Sequence, residues 1–151
     1  MITFREIDKH NYNECICLKV KDSQQQFVAD NARSLVEAHF EEGLYTRGIY
    51  RDDVMVGFLL FDYDPEIPGW SLSRFMIGQQ YQGQGLGKEA AREFLHYLKA
   101  QMGIGELYVS VELKNTAAHD LYEKLGFRFV KEISYEYDGI VYRENQMRLI
   151  W

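Results

Sequence analysis

The chain has 151 residues, 46% of them hydrophobic, and its 23 acidic and 17 basic residues give a net charge of −6 at pH 7. This length and apolar fraction predict one globular domain over residues 1–151 with a sizeable core. The negative charge disfavours general binding to nucleic acid or to an anionic membrane, and it favours a cationic ligand. The sequence contains neither a signal-like start nor a bilayer-length apolar run, so we expect a soluble, cytoplasmic protein.

The first forty residues predict one strand and two helices. Alternating apolar and polar residues predict a strand over Ile2–Ile7, and a short helix follows over Asn11–Val20. Asn31 is expected to cap a second helix that ends near Gly43.

Three strands come next. Tyr45–Arg51 and Val54–Phe61 are expected to form a hairpin around a tight turn at residues 52–53. Asp62–Gly69, which contains both prolines of the chain, predicts a loop. Trp70–Ile77 then predicts the third strand of this group.

A glycine-rich segment, Gln82-Gly83-Gln84-Gly85-Leu86-Gly87, lies between that strand and a helix. The helix is predicted from apolar residues that recur at every fourth position from Leu86 to Met102. Glycines at a helix start leave the first backbone N–H groups open, and the positive end of the helix dipole favours an anion such as a pyrophosphate. Lys88 in the first turn is consistent with a neighbouring anion, because a cation there otherwise opposes the dipole.

The glycine spacing excludes two common phosphate loops. The loop of nucleotide hydrolases needs Gly-Lys-Ser/Thr after its second glycine, but Gln84 follows Gly83. In the dinucleotide fingerprint the third glycine comes one residue later than Gly87 does here. The pattern that remains, Gln82-x-x-Gly85-x-Gly87, resembles the pyrophosphate loop of the GNAT superfamily of N-acetyltransferases.

The C-terminal third continues with a strand, a helix and a hairpin. Leu107–Val111 predicts a buried strand that lies parallel to the strand before the glycine segment, with the long helix as the crossover. Asn115–Leu125 predicts a helix. Phe127–Tyr137 and Ile140–Leu149 flank an Asp-Gly pair typical of a two-residue hairpin turn.

A second motif makes the resemblance specific. Asn115, Ala118 and the run Leu-Tyr-Glu-Lys-Leu-Gly-Phe that ends at Phe127 resemble the segment that follows the fifth strand in GNAT enzymes. The alternative is an ordinary packed helix in which Tyr122 is a core aromatic. Membership of this family implies an α/β (α+β) GNAT fold, in which about seven strands form a mixed sheet splayed in a V, with about four helices.

The resemblance also implies acetyl-CoA as the co-substrate. Strand backbone would pair with the pantetheine arm, the glycine segment would hold the pyrophosphate, and the Asn115 helix would border the other wall. The residues expected to contact acetyl-CoA are Phe75, Met76, Ile77, Gln82, Gly83, Gln84, Gly85, Leu86, Gly87, Lys88, Asn115, Ala118 and Tyr122.

Acetyl transfer to an amine needs a general acid and a base. Tyr122 matches the family's tyrosine that protonates the departing thiolate, and a phenol still carries its proton at neutral pH. Polyamine-acetylating relatives often have an acidic residue where this chain has Ser73, so the base is not assigned by the resemblance. Glu112 is one candidate base, although its simpler interpretation is a solvated carboxylate at the end of a strand. A chain of ordered waters is the other candidate base.

The acceptor is the least constrained part of the prediction. Gln26–Asn31, followed by Ser34–Ala38, resembles the N-terminal region of bacterial spermidine/spermine acetyltransferases. A polyamine has several spaced ammonium groups and would be held by spaced carboxylates. The candidate substrate-binding residues are Glu37, Glu41, Asp62 and Ser73. An aminoglycoside, an amino acid or a protein amine stays open as acceptor, as does a non-catalytic acyl-CoA-binding module.

No metal site is predicted. Cys15 and Cys17 are separated by one residue and have no matching His/Cys pair, which argues against zinc and against a disulfide framework. The four histidines do not cluster along the chain. The aromatic-rich hairpin that ends at Trp151 could pack against a further strand, so a homodimer is an open alternative to a monomer.

Overall fold

A computed structural model describes residues 1–151. The strands and α-helices are, in chain order, β1 (Ile2–Arg5), α1 (Tyr12–Cys17), α2 (Asn31–Phe40), β2 (Leu44–Arg51), β3 (Val54–Asp64), β4 (Gly69–Ile77), α3 (Leu86–Met102), β5 (Glu106–Glu112), α4 (Thr116–Leu125), β6 (Arg128–Tyr137) and β7 (Ile140–Ile150). The predicted order of elements is confirmed. None of the helices combines the length and apolar character that a membrane span requires.

All seven strands form one sheet in the order β1-β2-β3-β4-β5-β7-β6. Only β4 and β5 are parallel, and α3 is the crossover between them. Their ladder consists of two pairs, Ser71 with Tyr108 and Leu72 with Val109. Beyond Leu72, β4 continues to Ile77 with β3 as its only strand partner. The sheet therefore opens in the predicted V, and one edge of the β4 backbone faces the split.

A β-bulge lies in β4 where the split begins. Leu60 of β3 pairs with Arg74, whereas its neighbour Phe61 pairs with Leu72. Ser73 is the extra residue between them and has no partner on β3. A bulge of this kind bends its strand and changes the direction in which the nearby side chains point.

The core has one layer on each side of the sheet. The larger layer holds the every-fourth stripe of α3, and Phe94 packs edge-on against Phe61 of the sheet with ring centroids 5.3 Å apart. Burial of an aromatic side chain of this size contributes about 2–3 kcal/mol. The smaller layer packs Cys15 and Leu18 from the α1 region against Met76 of β4. Core residues therefore pack against both faces of the sheet around the split.

The predicted cap of the second helix is wrong by one residue. Asp30 is the N-cap of α2, and its carboxylate accepts a hydrogen bond from the backbone N–H of Arg33 at 2.7 Å. Asn31 is buried, and its amide donates to the carbonyl of Cys15 at 2.9 Å. Both residue types are good caps, but the buried Asn31 amide instead links the start of α2 to the end of α1, where the Cys15 carbonyl accepts from both Asn31 and the N–H of Leu18. Helix α1 stops at Cys17 rather than Val20.

Among the other boundaries that differ from the prediction, the ends of β3 and α2 bear on the site. Asp62 was expected in a loop, but β3 continues to Asp64 because Tyr63 pairs with Trp70 and packs against its ring. The loop shortens to residues 65–68, where the prolines lack N–H donors for a sheet. In α2 the helix ends at Phe40, so Glu41 has an extended backbone and does not continue the helical face of Glu37.

Candidate active site

The V-shaped split widens into a cavity of about 970 Å³. One wall is formed by the end of β3 and the middle of β4, and the other by the end of β5, helix α4 and the β6–β7 hairpin. The segment 25–29, between α1 and α2, closes a third side. Residues from distant parts of the chain therefore meet around one space.

The glycine segment begins α3 next to this split. Gly83 and Gly85 have φ values of +80° and +76°, which side chains of L-residues seldom adopt. A Cβ at either position would contact nothing within 4 Å, so the backbone conformation, not the space, requires glycine. Gly85 is the N-cap of α3, and no side chain caps the helix. The first-turn N–H groups are open, and they fit a diphosphate.

Several side chains of this segment are already engaged. The Gln82 amide donates to the Ile77 carbonyl and to Gln24, each at 2.9 Å. The Gln84 side-chain oxygen accepts a hydrogen bond from Arg51 at 2.9 Å. These two glutamines hold the loop in shape, and the open groups at this helix start belong to the backbone. Lys88 is exposed.

Tyr122 lies on the opposite wall. Asn115 is the N-cap of its helix, α4, and the Asn115 side-chain oxygen accepts a hydrogen bond from the N–H of Ala118 at 3.2 Å. The Tyr122 side chain is buried against Phe127, with ring centroids 5.3 Å apart, and it lines the cavity. Burial raises the pKa of its hydroxyl above the usual range for tyrosine. A phenol in this position keeps its proton well above neutral pH.

Carboxylates dominate the charge of the cavity. Six of them line it, against the three cations Arg33, Arg74 and Lys131. The six are Asp62, Asp64, Glu66, Glu112, Asp138 and Glu144. This arrangement favours a cationic ligand.

The carboxylates form close groups on both walls. Burial and the neighbouring Asp64 raise the pKa of Asp62, although a hydrogen bond from the Ser73 hydroxyl opposes that shift. Across the split, Glu112 pairs with Glu144 on adjacent strands. Burial and Glu112 raise the pKa of Glu144, and the hydroxyl of Tyr135 donates to it at 2.8 Å. A bound cation would reduce the repulsion between the carboxylates of each group.

Glu37 has protein partners instead of facing the cavity. Its carboxylate accepts hydrogen bonds from Arg74 at 2.7 Å, from Arg33 at 3.0 Å and from the Tyr137 hydroxyl at 2.6 Å. Burial alone would raise the pKa of Glu37, but these hydrogen bonds, that of Tyr137 first, lower it overall. Glu37 thus ties α2 to β4 and to the tip of the β6–β7 hairpin. Glu41 is exposed, and neither glutamate lines the cavity.

The structure adds side chains that sequence reasoning missed. Glu144 and Tyr135 contribute to the cavity from the C-terminal hairpin, and Arg74 contributes from β4. Their only signal in the sequence is strand alternation, which does not reveal which strands are neighbours. The pairing of Glu144 with Glu112 depends on a register that brings β7 beside β5.

Comparison with known proteins agrees with this geometry. The sequence profile described as the acetyltransferase (GNAT) family matches residues 5–127. The chain belongs to the GNAT family. It is an acetyl-CoA-dependent N-acetyltransferase, with the mixed seven-stranded sheet of that fold.

Individual relatives include enzymes named for different amines. The chain is 25% identical over 150 residues to the spermine/spermidine N(1)-acetyltransferase of Bacillus subtilis strain 168, covering 95% of this GNAT chain and 98% of the relative. A crystal structure of spermidine N-acetyltransferase from Vibrio cholerae, in complex with CoA and spermine, has a TM-score of 0.76 at 16% identity over 99% of this chain and 95% of that one. An aminoglycoside N(6')-acetyltransferase from Legionella pneumophila also reaches 0.76 at 16% identity, over 99% and 91%. The shared fold alone therefore does not name the acceptor.

Proposed function

We propose that this enzyme transfers the acetyl group of acetyl-CoA to a primary amine of a small polycation, spermidine or spermine. The observation that carries the proposal is the acidic cavity, with Asp62 and Asp64 on one wall and Glu112 and Glu144 on the other. A polyamine bears ammonium groups separated by methylene chains, so one molecule can reach carboxylates on both walls. The Bacillus relative, which covers nearly the whole chain, is named for the same amines.

The β4–α3 segment is proposed to bind acetyl-CoA. The open edge of β4 at Phe75, Met76 and Ile77 would pair with the pantetheine arm as another strand does. The free N–H groups at the start of α3 would hold the diphosphate. Asn115 and Ala118 would border the arm from the α4 side. Bound in this way, the cofactor would supply the thioester whose acetyl group is transferred, and Tyr122 and the carboxylates line the cavity beside it.

Acetyl transfer then requires two proton transfers, one from the acceptor ammonium and one to the leaving thiolate. An alkyl ammonium is neutral in only about one molecule in a thousand at pH 7, a cost of roughly 4–5 kcal/mol. Glu112 at the end of β5 is one candidate to accept the first proton. Tyr122 is proposed to protonate the leaving thiolate, a role that its raised pKa supports because the phenol is not ionised beforehand.

An amine panel tests the substrate. We expect spermidine and spermine to exceed a monoamine of similar length in kcat/KM by about 10²-fold, since each additional desolvated ion pair contributes more than 1 kcal/mol. The advantage should shrink at high salt, because the attraction is screened. Release of free thiol from acetyl-CoA measures turnover directly. Equal rates for the monoamine, or a preference for an aminoglycoside, would contradict the polyamine assignment and leave the acetyltransferase assignment intact.

A further inference from the structure

Ser73 and Asp62 form a hydrogen-bonded pair that reaches the cavity from the β3–β4 wall. The Ser73 hydroxyl donates to Oδ1 of Asp62, and both side chains line the cavity. The bulge at Ser73 leaves this residue without a strand partner on β3, and its exposed side chain is accessible from the cavity. Two residues later, at Phe75, begins the β4 edge proposed to bind the pantetheine. The pair therefore lies where the acceptor region meets the cofactor region.

We propose that Ser73 and Asp62 act as a proton relay, in which the Ser73 oxygen takes the proton of the acceptor amine and Asp62 takes the proton of Ser73. This inference rests on the proposed acetyl transfer to an amine. It assigns the base, which the resemblance to GNAT enzymes leaves open, to a serine–carboxylate pair. Ser73 touches the amine, and Asp62 acts through Ser73.

The atoms balance in this scheme. The ammonium loses one N–H proton to the Ser73 oxygen while the O–H proton of Ser73 moves to Asp62, and the neutral amine attacks the thioester carbon. The new C–N bond forms and the C–S bond breaks. Tyr122 gives its proton to the sulfur and recovers one from the nitrogen. Asp62 then releases its proton to water, so one proton leaves per acetyl group transferred.

The charges around Asp62 suit a base. Asp64 lies two residues away on β3, and Glu66 follows in the loop. Arg74 on β4 is the cation that faces Asp62, but Glu37 binds its guanidinium at 2.7 Å and shares its charge. Burial and Asp64 together hold the pKa of Asp62 above its usual value. A carboxylate with a raised pKa accepts a proton from an amine more readily than an ordinary aspartate does.

The test compares three variants. Ser73→Ala and Asp62→Asn each remove a relay group, whereas Asp64→Asn removes the same charge from the same wall and keeps both relay groups. Because Asp64 contributes less than burial to the raised pKa of Asp62, we expect Asp64→Asn to lower kcat far less than Asp62→Asn does. Asp64→Asn also keeps a side-chain oxygen that can accept a hydrogen bond from the N–H of Glu66, as Asp64 does at 2.9 Å. Loss of a general base lowers kcat by about 10²-fold or more, whereas loss of attraction raises KM for the amine. Thermal unfolding and coenzyme A binding check that each variant is folded.

A polyamine analogue with two fluorine atoms on the carbon β to the reacting nitrogen separates the relay from other roles. The two fluorines lower the pKa of that nitrogen to near neutrality, so in mildly alkaline buffer the amine arrives largely neutral and needs no base to remove an ammonium proton. We expect Ser73→Ala and Asp62→Asn to lose kcat with spermidine and to recover most of it with the analogue. The same two variants should also show a rate with spermidine that rises more steeply with pH than that of the unsubstituted enzyme.

Three results would contradict the relay. In the first, Asp62→Asn and Asp64→Asn raise KM for spermidine equally and leave kcat unchanged. In the second, Ser73→Ala keeps the kcat of the unsubstituted enzyme. In the third, Glu112→Gln loses kcat and the fluorinated analogue restores it, whereas Asp62→Asn keeps its kcat. If the unsubstituted enzyme acetylates no amine at all, the proposed function itself fails, which is a different outcome.

Discussion

The proposed cofactor side and the proposed acceptor side of the split are built in different ways. Apart from Asn115 and Ala118 on the α4 wall, the cofactor side is continuous in sequence, from Phe75 to Lys88, and it presents mainly backbone groups whose direction depends on glycine conformations. The acceptor side combines β3, β5, the β6–β7 hairpin and the segment 25–29, and it presents carboxylates. A site made of contiguous backbone is encoded by a short motif, whereas a site made of distant side chains is encoded by the tertiary fold.

The largest expected effect falls where the two sides meet, at Tyr122. Tyr122→Phe should lower kcat by about 10²-fold or more, because the proton for the thiolate is lost, while coenzyme A affinity stays within about twofold. Single-turnover kinetics and binding calorimetry measure the two quantities. Tyr63→Phe, an exposed tyrosine of β3, is the matched control and should keep its turnover. Unchanged turnover in Tyr122→Phe would assign the acid role elsewhere.

The cofactor side can be probed through backbone conformation alone. Gly85→Ala places a side chain at a φ of +76°, at a cost of about 1–2 kcal/mol, and should raise KM for acetyl-CoA about tenfold as the loop shifts. Gly103→Ala is the matched control, since Gly103 ends the same helix with a φ of +66° and has equal free space. We expect both variants to lose similar stability in urea unfolding. Only Gly85→Ala should change KM for acetyl-CoA. If Gly103→Ala changed this KM by a similar factor, the change would be caused by lower stability and not by the loop conformation.

The difference between the two sides also explains how much could be predicted. The glycine segment and the Asn115–Phe127 stretch were identified from sequence because each is local and each has a spacing set by backbone geometry. Element order followed from hydrophobic periodicity and turn residues, and the fold class followed from the resemblance of these two motifs to the GNAT family. The carboxylates were harder, because Asp62 depends on how far β3 extends and Glu144 on which strand lies beside β5.

Glu37 shows most clearly why the acceptor side resists sequence reasoning. Glu37 and Glu41 are both candidate substrate-binding residues from the sequence. In the fold, Arg74 from β4 and Tyr137 from the distant hairpin bind Glu37, whereas Glu41 lies beyond the helix end. Nothing local to α2 could reveal partners that are separated from it by 37 and 100 residues.

The smallest expected effect distinguishes these two glutamates. Glu37→Gln removes the charge that holds Arg74 and the hairpin tip, so it should lower the free energy of unfolding by about 1 kcal/mol. It should also raise KM for a polyamine, because the hairpin that lines the cavity is held less firmly. Glu41→Gln, the matched control, should stay within about 0.5 kcal/mol of the unsubstituted protein. Urea unfolding and amine kinetics measure both.

The pH dependence of the Glu37 effect has a definite sign. Because the folded state lowers the pKa of Glu37, its contribution is fully present above the pKa of the unfolded chain, about 4.3, and is lost as pH falls through the lower folded pKa. The stability gap between the unsubstituted protein and Glu37→Gln should therefore be constant from pH 7 to about pH 5 and close in more acidic solution. A gap that widened with acid would mean that the fold raises the pKa of Glu37, which would contradict the stabilising hydrogen bonds from Arg74, Arg33 and Tyr137.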